Sequence, residues 1–233
     1  MNEIKLMNKN FKLIITGSFI STTGSMLYYI ALQFFILDIT KSIVTTEILL
    51  GITMLPCLLL RPIGGAIADK LNKKTILILM DIIRGISILL VAIMLFYGYN
   101  DIAVIIMVEL INRTCSSIYS PTNSAILPFI VENSKIINCE SILSLSGFLP
   151  NIIEMLLGGI LYNVAGVYYL FLINAISFFI SAILESLLRL PKIKQQISNI
   201  NIALNLKEGI KVYNINKALY VFFNFYNVSK FIF

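Results

Sequence analysis

Histidine is absent from these 233 residues. That excludes a Ser-His-Asp triad, a histidine-ligated metal and an imidazole pH switch. Charge is scarce as well. Asp, Glu, Lys and Arg make up 13% of the chain, against about 25% in soluble domains. Apolar residues reach 58%, so too few charges remain to clothe a water-facing surface, and a soluble globule is excluded. Cys57, Cys115 and Cys139 lie far apart without a CxxC, which fits neither a disulfide framework nor a zinc site. They read as small apolar residues. No Walker sequence occurs, so the chain is not expected to hydrolyse ATP, and no cofactor is called for. The acids are dispersed over separate apolar runs, with no clustered catalytic set, so an enzyme is not expected.

What the chain does have is long apolar runs. A helix needs about 20 apolar residues to cross roughly 30 Å of hydrocarbon. Six runs meet this length: 13–37, 48–68, 75–97, 102–119, 141–162 and 167–188. Their continuous Ile and Leu content lacks the alternation of a membrane β-barrel. The fold class expected is all-α: a polytopic membrane protein with a six-helix bundle over residues 1–190.

The net charge of +6 is unevenly placed. Lys5, Lys9 and Lys12 precede the first run, and Lys70, Lys73, Lys74 and Arg84 lie around the second-to-third connection. Lys135 lies between the fourth and fifth runs, and Arg189, Lys192, Lys194, Lys207, Lys211 and Lys217 follow the sixth. The loops of the opposite side hold Lys41 alone. Such a bias marks the basic loops as cytoplasmic, so both termini are expected inside a multi-pass plasma-membrane protein, and no nucleic-acid partner is implied. Residues 191–217 read as a polar linker in which Leu204, Leu206, Ile210 and Tyr213 could form a short amphipathic helix on the membrane surface. A last apolar run, 218–233, is too short to span comfortably.

The second-to-third connection carries the most specific pattern. Gly64 and Gly65 allow close helix approach, and so short a connection predicts that the two helices are antiparallel neighbours. Asp69, at a helix end, can accept from the N–H groups opening another helix and can pair with Arg84. A contact of that kind, made in one conformation and broken in another, is a gate latch. Gly65, three residues, Asp69-Lys70, two residues, then Lys73-Lys74 resembles the loop signature of the major facilitator superfamily. The resemblance continues through Asp81 and Arg84, through Pro121–Pro128 and through Leu172–Ser181. Within the superfamily the chain is similar to the branch of bacterial macrolide and multidrug efflux permeases.

The resemblance implies one half of a two-bundle fold, with 218–233 as the start of a seventh span and the chain as a truncated half. It implies a secondary transporter, alternating its access around a midplane site and exporting small amphipathic molecules, with protons as the candidate coupling ion. It also implies that Gly65, Asp69, Lys70, Lys73, Lys74, Asp81 and Arg84 form a conformational gate. A missing second half, or a second copy of this chain, would complete the cavity. The alternative is a non-transporting remnant or partner subunit.

Charges inside a bilayer are functional-site candidates by default. Glu109 and Arg113 share a helix face, about 16 Å from the start of the fourth run for Arg113. Asn112, Ser116 and Ser120 extend that side. A cavity site and a structural ion pair are both open readings, although the resemblance implies a functional arginine in this span. Asn151 and Glu154 lie on one stripe of the fifth run. There Glu154-Met155 replaces the Gly-Pro pair of related exporters; a protonatable cavity group and a Glu neutralised by burial both remain open. Ser18, Thr22, Ser25, Tyr29 and Gln33 repeat at helical spacing in the first run and could line a cavity or bond between helices. Arg61 reads as a snorkelling residue, and Glu185 as interfacial.

Overall fold

The computed structural model describes residues 8–189, apart from the side chains at positions 58, 62, 66, 69, 70, 133 and 153–157. The linker expected at 191–217 and the run 218–233 lie outside the described residues. The described chain forms α1 (Lys9–Thr40), α2 (Ile43–Lys70), α3 (Lys73–Phe96), α4 (Ile102–Ala125), α5 (Ile136–Ala165) and α6 (Val167–Ser186). Two short 3-10 turns, Leu127–Phe129 and Asn133–Lys135, connect α4 to α5. Among the described residues there is no strand. The helices α1, α2, α3, α4 and α6 are each long and apolar enough to cross a membrane.

Local chemistry sets the boundaries. Ser42 Oγ accepts from Thr45 N at 3.3 Å, Asn72 Oδ1 from Lys74 N at 3.1 Å, and Asp101 Oδ1 from Ala103 N at 2.9 Å. Each satisfies an N–H that its helix cannot. Lys41, at φ 52°, ends α1 by returning its N–H to Leu37 O, and Gly166, at φ 78°, separates α5 from α6. The helices overrun the apolar runs because polar residues continue a helix once it leaves hydrocarbon. One consequence concerns the Gly65–Lys74 signature: it is mostly helix, with only Leu71 and Asn72 outside α2 and α3.

The expected α2–α3 partnership is not what forms. α2 packs mainly on α4, which also meets α3; α3 packs on α6, and α6 on α1, whose other side holds α5. Gly64 shows why. A Cβ there would collide with Ser117 O and come within 3.0 Å of Ile118 Cα, so the close approach is to α4. Pro121, inside α4, has no N–H to give the Ser117 carbonyl, and the glycine of α2 fits against that bare carbonyl. A Cβ at Gly65 would meet nothing within 4 Å, so that glycine makes no such approach.

The core divides into two apolar clusters. One holds Tyr28, Leu32, Ile36, Ile88, Ile105, Phe171 and Phe178. The other, toward the basic end, holds Phe11, Ile14, Leu77, Met80, Tyr119, Ile126 and Leu127. That end is tied together. Asn10 Nδ2 donates to Arg189 O at 2.8 Å and its Oδ1 accepts from Arg189 N at 3.1 Å. Asn8 Nδ2 donates to Ile130 O at 3.2 Å. The start of α1, the α4–α5 connection and the end of α6 therefore share one end of the bundle, as the charge pattern requires.

Candidate functional site

Two polar regions interrupt the apolar bundle. The first lies between the two core clusters. Asp81 and Arg84, one turn apart on α3, form a buried ion pair. The Arg84 guanidinium carbon lies 4.5 Å from the Tyr119 ring centroid and 4.3 Å from that of Phe178, so the cation sits between aromatic faces of α4 and α6. Tyr119 OH donates to Glu185 Oε1 at 2.8 Å. Glu185 is 2% exposed, which corrects its expected interfacial place. It continues a buried face of α6 through Asn174, Ser177 and Ser181, at spacings of three, four and four. That spacing was the available signal for Glu185. Among the described residues, Asp81 Oδ2, Arg84 Nε and Glu185 Oε2 have no hydrogen-bond partner. The cluster is thus closely packed yet incompletely satisfied.

Arg84 turns into the core and pairs with Asp81; the pairing expected with Asp69 lies outside the described side chains. Asp69 and Lys70 are the last two residues of α2, and their side chains lie outside the description. Lys74 has a definite task. Its Nζ donates to Ser186 O at 2.6 Å and Leu188 O at 2.8 Å, covering carbonyls that the end of α6 leaves free. Lys73 Nζ lies 5.0 Å from the Phe129 ring centroid. Lys74 and Lys73 thus fasten the α2–α3 turn to α6 and to the α4–α5 connection.

The second region runs along α1 and α4. Glu109 is fully buried and accepts from Arg113 Nε at 2.6 Å and from Asn112 Nδ2 at 3.1 Å. The Arg113 guanidinium carbon lies 4.8 Å from the Tyr29 ring centroid. Tyr29, Thr22, Ser25 and Gln33 stay half open on α1, while the opposite face, with Gly24, Tyr28, Ala31 and Phe35, is buried. Ser25 Oγ donates to Ser21 O at 2.7 Å in its own helix. Gln33 Nε2 donates to Glu47 Oε1 at 3.1 Å, joining α1 to α2. Ser18 leaves the expected stripe: it is buried and accepts from Asn123 Nδ2 at 3.0 Å. Ser116 is half open and Ser120 exposed, continuing the α4 side of the stripe. Asn151, exposed, donates to Gly147 O at 3.1 Å within α5; the Glu154 side chain lies outside the description. Arg61 is exposed. Among the described residues no cluster of Cys, Asp or Glu could hold a metal ion.

A membrane-crossing helical bundle with a charged cluster packed between its two apolar clusters and a half-open polar stripe has the build of a transporter bundle. Residues 4–221 match the transmembrane secretion effector family, and the chain belongs to that family of major facilitator transporters. It is a multi-pass membrane protein of a family whose members transport and are not enzymes. The chain is 22% identical over 212 residues to macrolide efflux protein A of Streptococcus pyogenes, covering 90% of this chain and 52% of the relative. It is 30% identical over 180 residues to the staphyloferrin A transporter of Staphylococcus aureus, covering 74% and 44%. Its fold matches the outward-facing crystal structure of a bacterial homologue of the iron transporter ferroportin, with a TM-score of 0.67 at 18% identity over 84% of this chain and 52% of that one. The chain spans about half the length of the curated relatives it matches.

Proposed function

We propose that this chain is the N-terminal six-helix half of a secondary transporter that exports amphipathic small molecules by alternating access. In this reading residues 1–190 form the bundle, 191–217 a cytoplasmic linker and 218–233 the start of a seventh span. The protein sits in the plasma membrane with its basic end inside. The half-open stripe of Thr22, Ser25, Tyr29, Gln33 and Arg113 is the wall of the substrate cavity. A second bundle, from a longer chain or a second copy, forms the other wall. Gly65, Asp69, Lys70, Lys73, Lys74, Asp81 and Arg84 make up the conformational gate, and protons, taken up at Glu109 or Glu154, are the coupling ion.

The observation that carries the reading is the contrast between the two faces of α1. One is closed by α6 through glycines: a Cβ at Gly17 would lie 3.2 Å from Ser181 Oγ. The other keeps hydroxyl and amide groups half open at mid-helix, beside the half-open guanidinium of Arg113 on α4. Against lipid such groups are costly, so a water-filled cavity accounts for them. The name of macrolide efflux protein A supports export of amphipathic compounds, and that of the staphyloferrin A transporter supports a broader substrate range.

The test is energy-dependent export of a fluorescent amphipathic dye from a pump-deficient strain. Residues 1–233 alone are expected not to export, whereas the chain completed by a second bundle exports, and Asp69→Asn abolishes export at normal expression. Export by the 1–233 chain alone would show that one bundle suffices. Absence of export from the completed protein for every amphipath tried would favour the partner-subunit reading.

A further inference from the structure

We infer that Arg113 and Tyr29 form a recognition point for an anionic group, so that the preferred substrates are amphipathic anions, carboxylates above all. The inference rests on the proposed cavity and names its substrate class. Glu109 and Arg113 form an ion pair in which the two charges are not equally available. The carboxylate is fully buried, and both oxygens are spent inward, on Arg113 Nε and Asn112 Nδ2. A cationic substrate finds no acceptor there. The guanidinium has five N–H donors in a planar fork, and the hydrogen bond to Glu109 uses the one on Nε. Its side chain is 28% exposed on the half-open stripe, so the positive pole of the pair faces outward.

Tyr29 defines the rest of the pocket. Its ring, 4.8 Å from the guanidinium carbon, holds the cation by one face. Ser25 and Ser116 lie one turn away on the two helices, both half open. A fork of N–H donors beside an aromatic ring, flanked by hydroxyls, suits a carboxylate attached to an apolar body. The described acids that are not buried, Asp38, Glu47, Asp101, Glu132 and Glu140, lie within two turns of helix ends or in connections, away from mid-helix. Arg113 is about 16 Å along α4 from its start, too deep for the phosphate of a resident lipid. The anion is therefore that of a substrate.

The experiment uses the full-length protein in phosphatidylcholine nanodiscs and a pair of probes, dansyl-undecanoic acid and its primary amide. The acid is expected to bind saturably, about tenfold or more tighter than the amide, the size of one charge-assisted hydrogen bond. Arg113→Gln should abolish the difference, and Arg113→Lys should keep part of it. The double variant Glu109→Gln with Arg113→Gln leaves no unpaired buried charge; it should remain folded and bind acid and amide alike. Arg61→Gln, which removes an exposed cation of α2, should leave the preference in place. Equal binding of acid and amide by the unaltered protein, a preference that survives Arg113→Gln, or one that vanishes with Arg61→Gln would overturn the inference. Because binding is read without transport, its outcome is separate from that of the export reading: dye export with no acid preference rejects the anion site alone.

Discussion

Replacing Arg84 by glutamine should be among the most damaging single changes in the bundle. Its guanidinium pairs with Asp81, which is fully buried, and lies between the rings of Tyr119 and Phe178. Breaking one side of a buried ion pair costs about 3–5 kcal/mol, chiefly because the remaining charge is left without a partner. Each desolvated ring contact adds about 0.5–2 kcal/mol, and these overlap with the first figure because the same desolvation is counted in both. Glu185, 2% exposed, also loses the electrostatic attraction of Arg84 and keeps Tyr119 as its hydrogen-bond donor. Asp81→Asn should cost less, since Arg84 keeps its rings and Glu185. The double variant should recover part of the Arg84→Gln loss, with an interaction energy of about 0.5–3 kcal/mol. The chain has no tryptophan, so the assay is unfolding of detergent-solubilised protein followed by far-ultraviolet circular dichroism. Strictly additive losses, or Asp81→Asn more damaging than Arg84→Gln, would refute the buried-pair reasoning.

Three further outcomes follow from the packing. Gly64→Ala should destabilise by about 1–3 kcal/mol in the same assay, because its Cβ meets the Ser117 carbonyl, while Gly65→Ala should fall within about 0.5 kcal/mol of the parent. Lys74→Met uncovers the carbonyls of Ser186 and Leu188, and should speed hydrogen exchange at the end of α6 while α4 stays protected. Impermeant thiol reagents applied outside intact cells should modify a cysteine placed at Asn100 or Asn163 and spare one at Asn72 or Asn138, all four positions being exposed; the reverse would invert the topology.

Helix placement was legible because hydrocarbon thickness imposes length. The Glu109–Arg113 pair was legible because four residues bring two side chains onto one helix face. Helix partners were not. In a membrane the outer face of a helix is as apolar as the inner one, so the runs carry little record of which side meets which neighbour. The α2–α4 contact depends on Gly64 meeting a carbonyl that Pro121 leaves bare, two features more than fifty residues apart. Arg84 pairs with Asp81 between the rings of Tyr119 and Phe178, which come from other helices, so its surroundings were not readable from α3 alone. Glu185 misled by its position near a span end; the polar spacing behind it, from Asn174 onward, was the better guide. Ser18 fits the α1 repeat yet faces Asn123, since a wide stripe on a helix divides between cavity and neighbour.

The central claim is that the half-open face of α1 and α4 lines an aqueous substrate path. Its most direct test is cysteine accessibility in membranes containing the full-length protein, with Cys57, Cys115 and Cys139 first replaced. Cysteines at Ser25 and Ser116 should react with a water-soluble thiol reagent, and bound substrate should slow both reactions. Cysteines at Leu90 and Ile183, 62% and 61% exposed on the outer faces of α3 and α6, should stay inert because they meet lipid. Reaction at Leu90 and Ile183 equal to that at Ser25 and Ser116, or none at either serine position, would contradict the account.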